Sequence, residues 1–97
     1  MTVYVIKLVT ITTDATWVEE YAPEVTALVE SHGGRYLARC PEVHSLEGDM
    51  RVPTIAVILE FPDAETARKW HGSAEYEGWL KTRQAGSKSD LLLVDGL

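Results

Sequence analysis

Tyr76 and Arg83 stand two helical turns apart, so on a helix they share one face. A phenol can donate a proton, and a guanidinium can hold a carboxylate or an enolate. Facing a cleft, that pair would do acid chemistry on a small anion. Trp70 lies just upstream across Gly72-Ser73, and Trp79 sits on the shoulder of the same helical segment. Either indole would stack a flat aromatic ligand. The same residues also suit plain packing. Aromatics at helical spacing commonly fill cores, and Arg83 would then pair with an acid such as Glu60 or Asp90.

Histidine is the natural general base near neutral pH. His44 falls in a predicted loop and is the candidate base; His71 is expected at the surface beside Trp70. His32 closes a helix, where a cation suits the dipole. The three histidines show no His-x-x-x-His spacing, so no metal site is expected. Arg35 and Arg39 alternate along one short strand with Leu37 between them, which predicts a shared sheet face. One of them would reach the cleft beneath the helices, or both would form ion pairs at a subunit edge. Glu47-Gly48 reads as a turn device. Cys40, before Pro41, has no neighbour in sequence that would activate its thiol. No Ser-His-Asp arrangement can be argued. His32-Gly33-Gly34 follows a helix rather than preceding one, so it is no phosphate loop. The candidate catalytic residues are thus His44, Tyr76 and Arg83, and the candidate ligand-binding residues are Arg39, Trp70, Tyr76 and Arg83, with no cofactor and no metal.

These residues must be positioned by a small set of elements. Residues 3–11 are rich in β-branched types and read as a strand. Thr13-Asp14 offers an N-cap, and Trp17, Tyr21, Val25, Leu28, Val29 and His32 then recur at the helical period. Pro23 predicts a kink or a restart, and Gly33-Gly34 a stop. Residues 35–40 read as a second strand, 41–52 as a loop, and 54–61 as a nearly continuous apolar strand. Pro62-Asp63 starts a helix over Ala64, Ala67 and Trp70. Ser73 caps another, which carries Tyr76, Leu80 and Arg83 and ends at Gly86. Residues 91–94 form a last strand. Strand-helix-strand occurs twice, in one domain spanning 1–97. This predicts an α+β, ferredoxin-like βαββαβ fold with a four-stranded antiparallel sheet.

The strands carry apolar residues on both faces. Tyr4, Ile6 and Leu8 oppose Val5, Val9 and Ile11; Ile55, Val57, Leu59 and Phe61 oppose Ala56 and Ile58; the fourth strand is apolar throughout. Two helical half-units cover one face only. The other would be a patch larger than monomers usually expose, so a homodimer with sheets face to face is expected.

Composition narrows the function classes. The chain has 97 residues, 45% hydrophobic and 25% charged, which fits one globular domain. Its net charge of −6 is a poor match for phosphate backbones, so nucleic acid is excluded as a partner. No apolar run approaches the roughly 20 residues of a membrane span, and no signal peptide is evident. The single cysteine rules out an intrachain disulfide and suits a reducing cytoplasm.

Several of these segments form an ordered set. His32-Gly33-Gly34-Arg35-Tyr36-Leu37-Ala38-Arg39, Leu46-Glu47-Gly48, Val57-Ile58-Leu59-Glu60-Phe61-Pro62, Ala67-x-x-Trp70, Ser73-x-x-Tyr76, Arg83 and Val94-Asp95-Gly96 follow one another, with Tyr21 ahead of them. Together they resemble the bacterial "domain of unknown function 1330" family over nearly the whole chain. The resemblance implies a dimeric α/β barrel, in which two ferredoxin-like subunits close their sheets around a shared core. The wider superfamily includes cofactor-independent monooxygenases of polycyclic phenols, lactone isomerases, haem-dependent enzymes and stress-responsive proteins, so fold analogy selects no activity. The chain departs from the family pattern at Cys40-Pro41-Glu42-Val43-His44 and at Asp49-Met50-Arg51-Val52-Pro53.

The functional expectation is binding, with or without turnover, of a small organic acid or phenolic compound in a cleft between sheet and helices. The alternative is a non-catalytic dimeric module that regulates or scaffolds. Polar groups converging on a cavity favour the first. A cleft filled by Trp70, Trp79 and Leu80 favours the second.

Overall fold

The computed structural model describes all of residues 1–97. Its elements run β1 (Val3–Ile11), α1 (Trp17–Ser31), β2 (Arg35–Cys40), β3 (Ile55–Phe61), α2 (Ala64–His71), α3 (Ala74–Gly86) and β4 (Ser87–Asp95). The sheet order is β2-β3-β1-β4, and every neighbouring pair is antiparallel. Each helical connection carries the chain back over the same face, leaving β1 and β3 central. This is a ferredoxin-like α+β fold. No helix is long and apolar enough to cross a membrane.

Local chemistry sets the helix ends. The Asp63 carboxylate accepts from the Thr66 amide at 2.7 Å and caps α2, while Ser73 Oγ accepts from the Tyr76 amide at 3.2 Å and caps α3. α1 closes with Gly33 at φ 82, and the Gly34 amide reaches back to the Val29 carbonyl at 2.9 Å. Gly34 is held to glycine for a second reason: a Cβ there would overlap the Phe61 ring.

Three expectations need correcting. Asp14 does not cap α1; its carboxylate accepts from the Thr16 amide at 2.8 Å, closing a turn ahead of a helix that starts at Trp17. α1 does not restart at Pro23 but runs through it as one element. Losing one backbone hydrogen bond is outweighed by Tyr21, Val25 and Val29, which bury both halves against the same sheet. β4 begins directly after α3 and is half polar, since Ser87-Lys88-Ser89-Asp90 pairs with Leu8 to Ile11. Backbone hydrogen bonding to a nine-residue neighbour extends that strand where hydrophobic pattern does not.

The core lies between sheet and helices. Val3, Val5 and Val9 of β1 and Val57, Leu59 and Phe61 of β3 meet Tyr21, Val25 and Val29 of α1, Ala67 and Trp70 of α2, and Tyr76 of α3. The opposite sheet face carries no helix. Ile58, Leu92 and Val94 lie on it, exposed by 38%, 53% and 39%.

Candidate functional site

The strand period that buries Val3, Val5 and Val9 also buries Lys7, which is only 4% exposed. An ammonium in an apolar row must find partners. Lys7 Nζ donates to the Tyr21 hydroxyl at 2.8 Å and stands 4.6 Å from the centre of that ring. The Tyr21 hydroxyl lies 2.7 Å from the Tyr76 hydroxyl, to which Arg83 Nε donates at 3.4 Å. Ser73 starts α3 so that Tyr76 faces the sheet, and two turns later Arg83 arrives on the same face, 3% exposed. Three elements, β1, α1 and α3, thus build one line of polar groups: Lys7, Tyr21, Tyr76, Arg83.

Arg39 joins from the edge strand. β2 carries a bulge between Tyr36 and Ala38, so Tyr36 pairs with Leu59, Ala38 with Ile58 and Arg39 with Val57. The predicted shared face for Arg35 and Arg39 is therefore wrong, because Leu37 is the extra residue that flips the register. Arg35 turns to the open sheet face and pairs with Glu60 at 2.9 Å. Arg39 turns to the helical side, where its guanidinium lies 4.3 Å from the Tyr36 ring centre and donates to Thr26 Oγ1 at 2.7 Å.

These groups line a cavity of about 50 Å³, bounded by Lys7, Trp17, Tyr21, Tyr36, Arg39 and Arg83 with aliphatic side chains between them. No carboxylate lines it. Arg83 has no acidic partner, for Glu60 is bound to Arg35 and Asp90 pairs beside Leu8 on the open face. Burial, then Arg83, then Arg39 lower the Lys7 ammonium pKa to about 7, so near neutral pH a large share of this amine carries a free lone pair. Burial first, and the neighbouring Tyr76 second, push the Tyr21 phenol well above its ordinary range, so it stays protonated. Burial also raises Tyr36. Trp17 stands edge-on to Tyr21 at 5.4 Å, and its Nε1 is buried without a hydrogen-bond partner.

The other candidates fall elsewhere. Trp70 is 1% exposed, stacked on Tyr76 at 4.8 Å and beside Phe61 at 5.6 Å. It packs the core and also lines a second, larger cavity of about 380 Å³ over β1 and β4, with Val5, Leu91 and Leu93. The ionisable groups of that cavity, Arg68 and His71, are both exposed. The smaller cavity is the one lined by buried ionisable groups, Lys7 and Arg83. Burial, then Arg83, lowers the His71 pKa. His44 is exposed in the β2–β3 connection, lines neither cavity and hydrogen-bonds to no member of the cluster. Nowhere do three His, Cys, Asp or Glu side chains converge as a metal site would need.

Sequence reasoning missed Lys7 as a candidate and read Tyr21 only as packing. The available signal for Lys7 was its parity: it occupies the alternate position between Val5 and Val9, a lysine in an otherwise apolar row.

The sequence profile described as "Domain of unknown function (DUF1330)" matches residues 2–97. The chain belongs to the DUF1330 family. Comparison with curated proteins finds no match. Among solved structures, this DUF1330 protein resembles a protein of unknown function from Rhodopseudomonas palustris, with a TM-score of 0.83 at 20% identity, covering 99% of this chain and 82% of that one. It also resembles SnoaB, a cofactor-independent oxygenase from Streptomyces nogalater, with a TM-score of 0.71 at 12% identity over 99% and 93% of the two chains. A dimeric ferredoxin-like protein of unknown function from Jannaschia superimposes with a TM-score of 0.68 at 9% identity, over 99% and 100%. At these identities the likeness establishes the fold of this DUF1330 chain and no more.

Proposed function

We propose that this DUF1330 protein binds, and turns over, a small organic acid or phenol in the cleft between Lys7 and Arg83, using its own side chains as acid–base groups. One observation carries this reading. Two buried basic side chains, Lys7 and Arg83, converge with Arg39 and the phenols of Tyr21 and Tyr36 on a cavity that holds no carboxylate, with Tyr76 hydrogen-bonded behind Tyr21. Uncompensated buried charge is costly, and an anionic ligand offsets that cost. A neutral Lys7 would accept a proton, Tyr21 and Tyr76 would pass it along, and Arg39 and Arg83 would hold the anion. SnoaB, a cofactor-independent oxygenase on the same fold, is compatible with such chemistry.

The competing reading, a non-catalytic dimeric module, is favoured by the Phe61–Trp70–Tyr76 stack, which fills the space beside the cluster. Both readings take the chain as a homodimer joined through the helix-free sheet face, where Ile58, Leu92 and Val94 stand exposed; the Jannaschia relative of this fold is described as dimeric. The exposed free thiol of Cys40 suits a reducing cytoplasm.

The test is a titration of small carboxylates and phenols followed by amide NMR. Saturable shifts at Lys7, Tyr21 and Arg83, weakened at least tenfold by Arg83→Met, are expected. Absence of saturable binding across both classes would sink the reading.

A further inference from the structure

The Lys7 amine is placed as a nucleophile as well as a base. It is buried at the centre of a strand, it lines a cavity, and its direct hydrogen-bond partner is a phenol. A charged lysine in such a place is normally paired with a carboxylate, and none lines this cavity. The titratable groups that line the cavity with Lys7 are Tyr21 from α1, Arg83 from α3, and Tyr36 and Arg39 from β2, with Tyr76 hydrogen-bonded to Tyr21 behind them. All are cations or phenols. A lysine desolvated beside other cations is how proteins keep an amine unprotonated for attack on a carbonyl.

We propose that Lys7 forms an imine with a small 2-oxo acid whose carboxylate is held by Arg39 and Arg83. This rests on the acid-binding reading above and narrows its substrate class. The lone pair of the neutral amine attacks the C2 carbonyl carbon, and the carbonyl electron pair moves to oxygen, which takes a proton from the Tyr21 hydroxyl. In the same step Tyr21 takes a proton from the nitrogen, so the phenol is never left ionised, and the product is the carbinolamine with its amine uncharged. The carbinolamine then loses its hydroxyl and the remaining nitrogen proton as water while the C=N bond forms. One amine and one carbonyl become one imine and one water, with no redox change. Tyr76, 2.7 Å from Tyr21, extends the proton path towards Arg83.

The cavity sets the size of the acid. A volume of about 50 Å³ corresponds to roughly two waters at the ~30 Å³ each takes in the liquid, which restricts the ligand to the smallest oxo acids, of two or three carbons, and excludes fused rings.

Glyoxylate and pyruvate, each with cyanoborohydride, would trap the imine as a stable secondary amine read by intact mass and peptide mapping. The proposal expects labelling at Lys7 at least tenfold faster than at the surface residues Lys69, Lys81 and Lys88, saturating with oxo acid and blocked by oxalate. Lys7→Met should abolish the fast phase while circular dichroism shows the fold intact, and Arg83→Met should slow it. If amide NMR shows saturable pyruvate binding but Lys7 labels no faster than the surface lysines, the imine proposal is overturned and the acid-binding reading stands. If no small acid binds saturably, the imine proposal is overturned, and if no phenol binds either, the binding reading falls with it.

Discussion

The hydroxyl of Tyr21 on α1 lies 2.7 Å from the hydroxyl of Tyr76 on α3. This contact joins the two helices across the polar line and links Lys7 on one side to Arg83 on the other. Removing one oxygen interrupts the whole line. Tyr76→Phe leaves Arg83 Nε without its partner and Tyr21 with only Lys7. It should lower stability by about 1–3 kcal/mol, read by urea denaturation, with the m-value unchanged. Stability equal to wild type would show that the line contributes nothing to the fold.

Lys7→Met should raise stability at pH 7 by about 1–3 kcal/mol, since an apolar side chain of similar length replaces a desolvated amine and Tyr21 keeps its bond to Tyr76. Thermal melts in parallel with wild type check this. Loss of activity with gain of stability would mark Lys7 as retained for function.

The lowered Lys7 pKa fixes the direction of a pH effect. Between about 7 and 10.5 the unfolded chain holds a proton on this residue that the folded chain has shed, so stability rises with pH across that window. Above pH 10 the sign reverses at Tyr21. The unfolded phenol ionises while the folded one, raised by burial, does not. Denaturation midpoints should therefore climb by an amount worth a few kcal/mol from pH 7 to about 10 and then fall. Lys7→Met should flatten the climb and leave the fall.

Gly34→Ala should destabilise by about 2–3 kcal/mol, because the new methyl meets the ring of Phe61, itself fully buried. Neither ring nor backbone can withdraw without opening the core. A calorimetric melt within a degree of wild type would contradict this.

Ile58→Lys combined with Leu92→Lys places charge on the helix-free sheet face and leaves the core contacts of β3 and β4 on the other side. Light scattering should change from dimer to monomer while circular dichroism is retained. A persistent dimer would place the interface elsewhere.

Much of the fold is legible in the residues themselves. The caps at Asp63 and Ser73 and the stop at Gly33 act within a few residues, and each forms as the local pattern predicts. The strands β2 and β3 and the pairing of Tyr76 with Arg83 on one face follow from period alone. What failed depended on neighbours. A bulge is a property of two strands, so no inspection of Arg35 to Arg39 by itself reveals that the arginines part company. The polar half of β4 is a strand only because β1 lies alongside it.

The sequence by itself determined the element order, the caps of α2 and α3, the stop of α1 and the surplus of apolar strand surface, because these rest on local backbone preferences and on side-chain period. Only tertiary structure decided which polar groups meet. It brought Lys7, Tyr21, Tyr76 and Arg83 into one line, turned Arg39 towards them and left His44 outside. Such a site is made by strand register and helix docking, which set distances between residues far apart in the chain, and by burial, which decides the charge that an amine or a phenol can carry.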